Sequence, residues 1–200
     1  MRTDTPVPGR PRTARVTKAI EQASLQELAE SGYAHATVSS IAQRAQTSKQ
    51  AIYRRWPDKE TMIAAALRQA LAALPSHPPE RSNVAADLFA YLTGITEALE
   101  VSPLGGALRS VFPLAATVPV IGDVLVEMED TWRLTLRQIL IATPFEAAMD
   151  TRIDLLLGLL LTRGLLQDQT ISREKIAEAI ELVLGLRAPR ASPSSSTGIY

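Results

Sequence analysis

The chain contains no cysteine among its 200 residues, which excludes disulfide staples, thiolate metal sites and a thiol nucleophile. Histidine is nearly absent too. His35 stands ahead of a short helical pair and His77 in a proline-rich stretch, so neither joins a catalytic constellation. Gly105-Gly106 is an isolated pair with no phosphate-loop spacing around it. Aromatic residues are few, with two Trp, four Tyr and three Phe, and β-branched residues do not alternate in runs, which argues against a sheet protein. The longest apolar run, near Leu155 to Leu161, is far too short to span a bilayer. The N-terminus has no apolar signal region. These absences predict a soluble, cytoplasmic, all-α protein with no cofactor, no metal site, no catalytic residues and no membrane contact.

Leu and Ala are abundant and 46% of residues are apolar, enough to bury a substantial helical core. The net charge of zero hides a division. Residues 1 to 60 hold ten Lys and Arg against six Asp and Glu, whereas residues 61 to 200 hold eleven against fifteen. A basic front and an acidic back suit a protein that presents one end to a polyanion.

The stretch from Thr37 to Lys59 organises the rest. Thr37 can cap a short helix from Val38 to Ala45, on which Val38, Ile41, Ala42 and Ala45 form an i, i+3, i+4, i+7 stripe. Gln46 and Thr47 make a turn, and Ser48 caps a second helix reaching Arg55. Ala51 and Ile52 face inward there, leaving Lys49, Gln50, Tyr53 and Arg54 outside. This is a helix-turn-helix whose outer face carries an ammonium, an amide, a phenol and a guanidinium, groups that suit base edges and phosphates. Taken alone, the same stretch also reads as a surface hairpin with a solvated basic face.

Its neighbours change that balance. Gly32-Tyr33, Thr37, Ile41-Ala42, Ser48, Tyr53, Trp56 and Lys59 occur in the order and spacing of one pattern. With them the chain resembles, from Arg12 to Leu74, the DNA-binding domain of the TetR family of transcriptional regulators. One departure stands out: Gln46 occupies the turn position where Gly is usual, so either a side chain tolerates a positive φ at a cost of about 1 kcal/mol or the turn is built differently. Lys49, Gln50 and Tyr53 are expected to read bases, with Thr37 and Arg54 supporting them at phosphates and Ser48 within the DNA-binding set; the resemblance implies that Lys59 also meets a phosphate. Arg10 and Arg12 lie in an extended Pro- and Arg-rich arm that either enters a minor groove or stays a solvated tail.

Around this unit the chain divides into an arm over residues 1–12, a DNA-binding unit over 13–74, a larger helical unit over 83–187 and an unstructured tail over 188–200. A first helix runs from Thr13 to Ser31 and ends at Gly32. Trp56-Pro57 breaks the chain, and Asp58 caps a connecting helix to Leu74. Pro75 to Ser82 reads as a linker. Further helices are expected over Asn83–Glu100, Pro103–Ala116 with a bend at Pro113, Pro119–Ala142, Pro144–Leu166 and Ser172–Leu186. Three of them begin with Pro.

In the larger unit the stripe running through Leu125, Met128 and Trp132, with Phe89, Leu92, Leu108 and Phe112 as further walls, is either plain core or the lining of a pocket for a small, largely apolar effector. From Ile153 to Leu166 the helix is apolar nearly all round, so it is either central to the protomer or covered by a second copy. Ile153, Leu156, Leu157, Gly158, Leu160 and Leu161, joined by Ile176, Ile180 and Val183, make the candidate homodimer interface. Glu127, Glu129 and Asp130 read as a solvated edge. The resemblance implies a dimeric, ligand-responsive repressor on a palindromic double-stranded DNA operator, released by a small-molecule effector. A helical apolar-ligand carrier with no DNA-binding role is the alternative, and a helical enzyme would need polar clusters that the sequence offers sparingly.

Overall fold

The computed structural model describes residues 10–74, 79–81 and 83–185. All regular structure among them is helical. Four helices build the N-terminal part: α1 (Arg10–His35), α2 (Val38–Arg44), α3 (Lys49–Tyr53) and α4 (Lys59–Ala72). Five more follow: α5 (Val84–Val101), α6 (Pro103–Val111), α7 (Pro119–Leu140), α8 (Met149–Leu159) and α9 (Arg173–Leu184), with a 3-10 turn at Phe112–Leu114 and a π-helical segment at Leu160–Leu166.

Side-chain caps set most of these starts. Thr37 accepts from the Ser40 amide and Ser40 reaches back to the Thr37 amide, a reciprocal box. Ser48, Asp58, Asn83 and Ser172 each accept from the amide three residues on, satisfying one of the free donors at a helix start. Gly32 has φ 72, and its kink separates the long part of α1 from a last turn through His35. Gln46 takes φ 50 in the turn, so the side chain is carried in the left-handed region rather than avoided.

Several expected boundaries move. α1 begins at Arg10, so Arg10 and Arg12 belong to a helix and not to an extended arm; their side chains lie outside the described residues, as do residues 1–9, most of the linker and the tail from residue 186. α3 stops at Tyr53. Pro113 does not bend a continuing helix. It sits inside the 3-10 turn that ends α6, because its ring leaves no amide for a further α-helical bond. Pro144 opens no helix either: Thr143 to Ala148 form turns, Ala148 is left-handed at φ 55, and α8 starts at Met149.

Core residues run from Ile20 through Leu67, Leu108 and Leu136 to Ile180 as one contiguous cluster. α6 lies along α1 and also against α5, and α4 packs on α1 and α7. Gly106 lets α6 approach closely, since a Cβ there would stand 2.8 Å from the Ala29 Cβ of α1. Arg68 of α4 grips Glu127 of α7 with two hydrogen bonds, 2.7 and 2.8 Å. Glu127 stays exposed, as expected of a solvated edge, but it is paired, and this guanidinium holds its carboxyl below the usual range. Among the described residues no helix is long and apolar enough to cross a membrane.

Candidate nucleic-acid interface and effector cavity

The two short helices are fastened to α1 by arginines. Arg44 donates from Nε to the buried Glu27 at 3.0 Å and from both terminal nitrogens to Glu30. Arg55 donates to Thr17 of α1 and to the Ala51 carbonyl. Neither α2 at seven residues nor α3 at five is long enough to persist alone. Ile41, Ala42 and Ile52 supply their buried faces, and Trp56 closes the same core at 8% exposure.

With Arg44 and Arg55 held internally, the outward groups of α3 are Lys49, Gln50, Tyr53 and Arg54, all exposed. Tyr53 is 53% exposed although its ring is largely apolar. The exposed Ser48 caps α3, which carries these groups, and the exposed Thr37 caps the neighbouring α2. Lys59 is placed differently from the rest. Its ammonium donates to the Tyr33 and Ala36 carbonyls at 3.1 and 3.2 Å and lies 3.8 Å above the Tyr33 ring. One N–H of its three is left for a phosphate.

Beside it the Tyr33 phenol donates to Glu60 at 2.7 Å. Burial, then the hydrogen bond and charge of Glu60, push this phenol up to about 12 from its ordinary 10.0. A group whose folded pKa is raised stabilises the fold fully below its unfolded pKa and loses that contribution as pH climbs to the folded value. Urea midpoints are therefore expected to fall faster between pH 10 and 12 for the wild type than for Tyr33→Phe. Parallel slopes would show that the phenol contributes nothing there.

The expected effector pocket is redistributed. Leu92, Leu108, Leu125 and Met128 are buried at 1, 0, 6 and 3% exposure. Phe89 is half-buried on α5, with the Arg173 guanidinium 5.8 Å from its ring. Phe112, Leu125 and Met128 share an open groove beside the 3-10 turn. Only Trp132 of the seven lines the more enclosed cavity, of about 270 Å³, where it meets Thr96 and Leu99 of α5, Arg109 of α6, and Leu160 to Ile171. That last wall comes from the π-helical segment and the loop after it, which no periodicity signals.

The expected dimer residues also divide. Ile153, Leu156, Leu157, Leu160, Ile176 and Ile180 are buried inside the protomer, because α7 and α9 pack on α8, α6 packs on its continuation, and α5 packs on α9. They form core, not surface. Gly158, Leu161 and Val183 are half-buried. The outward face of α8 and α9 carries instead Leu155 and Leu182, 61 and 65% exposed, with Leu159 and Val183 between them.

Comparison with known proteins agrees with this geometry. Residues 20–66 match the family described as bacterial regulatory proteins, tetR family. An uncharacterized HTH-type transcriptional regulator of Mycobacterium tuberculosis and one of Mycobacterium bovis are each 27% identical over 188 residues, 90% of this chain and 91% of theirs. A transcriptional regulator from a Rhodococcus species, 24% identical, superposes with a TM-score of 0.69 over 85% of this chain and 94% of its own. A TetR transcription regulator from Haloarcula marismortui, 19% identical, does so at 0.70 over 86 and 98%. A helix-turn-helix pinned to α1, matched over its own length by the tetR family and carried in an all-helical fold shared with such regulators, identifies residues 20–66 as a DNA-binding unit of the TetR type in a chain with the fold of TetR regulators.

Proposed function

We propose that the protein is a cytoplasmic, ligand-responsive repressor that binds a palindromic operator as a two-fold homodimer and is released by a small, largely apolar effector. The observation carrying this reading is the outward face of α3, where Lys49, Gln50, Tyr53 and Arg54 stand exposed while the other two arginines of the helix-turn-helix are held internally. Lys49, Gln50 and Tyr53 read bases; Thr37, Ser48, Arg54 and the remaining N–H of Lys59 engage phosphates, and Arg10 and Arg12 add charge at the start of α1.

Effector occupancy reaches this face along two packed routes. α6 is seated on α1 at Gly106 and Ala29, and α4 is tied to α7 through Arg68 and Glu127. Trp132 and Met128 line both the α4–α7 groove and the effector-side surfaces, Trp132 on the cavity and Met128 on the groove beside the 3-10 turn. An effector acts only through the difference in its affinity for the DNA-competent and released states.

Selection of DNA fragments by the purified protein, followed by sequencing, is expected to yield an inverted repeat. Gln50→Ala should relax one position of each half-site by about 1 to 3 kcal/mol. Lys59→Ala should weaken all sequences alike and also lower stability, because two backbone carbonyls lose their donor. Enrichment of no sequence at all, or identical base preferences in the Gln50 variant, would overturn this assignment of α3.

A further inference from the structure

We propose that the cavity of about 270 Å³ between α5, α6, α7 and the Leu160–Leu166 segment binds a small carboxylic acid with an apolar body, its carboxylate held by Arg109 and its body lying on Trp132. The inference rests on the effector reading above and narrows its chemistry.

One wall of the cavity is apolar: Trp132, Leu160 and Leu165 are each 4% exposed and Ile171 is 6% exposed, so an apolar body has buried side chains to pack against, while Thr96, Gln169 and Thr170 add polar lining. Its volume lies at the small end of ligand pockets. The rim is charged: Arg109, Asp168 and Glu100 all border it. Arg109 meets Asp168 with its Nε 2.8 Å from the carboxylate, and among the described residues it has no further ion-pair partner. A guanidinium is a planar fork matched to a carboxylate approached edge-on. Here the fork is only one-third exposed.

The two rim carboxylates are in a different position. Glu100 and Asp168 are both exposed, Asp168 at 75%, so both keep their hydration. The charge with an unmet need is the partly desolvated Arg109. Asp168 can also leave it at little cost, since exposed ion pairs contribute weakly. The loop that carries Asp168 is anchored before it, where the Gln167 backbone amide donates to the Thr162 carbonyl at 3.0 Å, and after it. Gln169 donates from its amide to the Arg163 carbonyl and accepts from the Arg163 guanidinium, each at 2.8 Å, and Ile171 is buried. A ligand carboxylate can therefore replace the Asp168 side chain on Arg109 while the backbone stays in place. Occupancy would bear on DNA binding through α6, where Arg109 lies one turn after the Gly106 contact with α1.

The test uses the full chain carrying Trp56→Phe, which leaves Trp132 as the single indole. It is titrated with 4-tert-butylbenzoate and octanoate, and with the primary amide and primary amine corresponding to each. At least one acid is expected to perturb Trp132 emission and to bind about tenfold or more tighter than its amide. Arg109→Gln should erase that preference. Asp168→Asn should do the opposite, tightening the acid roughly two- to fivefold by removing its competitor; because Asp168 is exposed, this variant keeps the fold and stays informative if the Arg109 variant does not fold. Equal binding of acid and amide, preference for the amine, no binding by any compound, or an Asp168 variant with unchanged acid affinity would each overturn the carboxylate site. Acid binding that leaves the operator complex intact would uphold the site and remove the effector role. An amide or amine that binds beside Trp132 and releases DNA would do the reverse.

Discussion

Replacing Leu155 and Leu182 together by glutamate is expected to convert the protein from dimer to monomer and to reduce operator affinity by about a hundredfold or more. Both side chains project from the outward face of α8 and α9, at 61 and 65% exposure, so the protomer core does not depend on them. Between them Leu159 and Val183 line a groove of about 340 Å³, and this contiguous apolar face is what two antiparallel helix pairs would bury across a two-fold axis. Four carboxylates brought together at that axis would repel. A monomer presents one recognition helix, and loses the effective concentration that the first bound half-site confers on the second. Sedimentation velocity at micromolar protein, with a mobility-shift titration on the selected operator, reads both effects. A wild-type protein that sediments as a monomer would end the dimer proposal, and a double variant that remains dimeric would move the interface elsewhere.

Alanine at Gly105 or Gly106 is expected to destabilise the fold out of proportion to one methyl group. α6 is wedged at this point between α5 and α1. A Cβ on Gly105 would collide with the Leu99 carbonyl oxygen, and one on Gly106 would stand 2.8 Å from the Ala29 Cβ and 3.1 Å from its Cα. These are backbone or near-backbone obstacles that no rotamer change removes. Overpacking of this kind costs about 1 to 3 kcal/mol, with Gly105→Ala at or above the upper end because it strikes backbone directly. The cost should overwhelm the modest gain in helix propensity from Gly to Ala. Urea denaturation with unchanged m-values measures it; two variants within about 0.5 kcal/mol of wild type would mean that α6 has room to shift. Gly106→Ala carries a second expectation. By pressing α6 away from α1 it should alter operator affinity even without effector, and the change should shrink if Ala29 is simultaneously Gly.

The sequence alone determined the helix-turn-helix and where several helices begin. Thr37, Ser48, Asp58 and Ser172 cap as read, because each acts on an amide three residues away, a distance that the order of residues already specifies. Pro103 and Pro119 likewise open α6 and α7, whereas Pro144 opens nothing, since proline at a first turn permits a helix without requiring one. What only the tertiary structure decided is everything that depends on which distant segment lies opposite. Periodicity marked the leucines of α8 as apolar on several faces, but the packing of α7 and α9 selected Leu156 and Leu157 for the core and left Leu155 outside. Gly105-Gly106 carried no phosphate-loop signal and proved to be a helix crossing. The pairs Arg44–Glu27, Arg68–Glu127 and Arg109–Asp168 join residues 17 to 59 positions apart. Such pairs leave no local trace, because an ion pair depends on the distance between charges in space, and that distance is set only when the helices carrying them have packed.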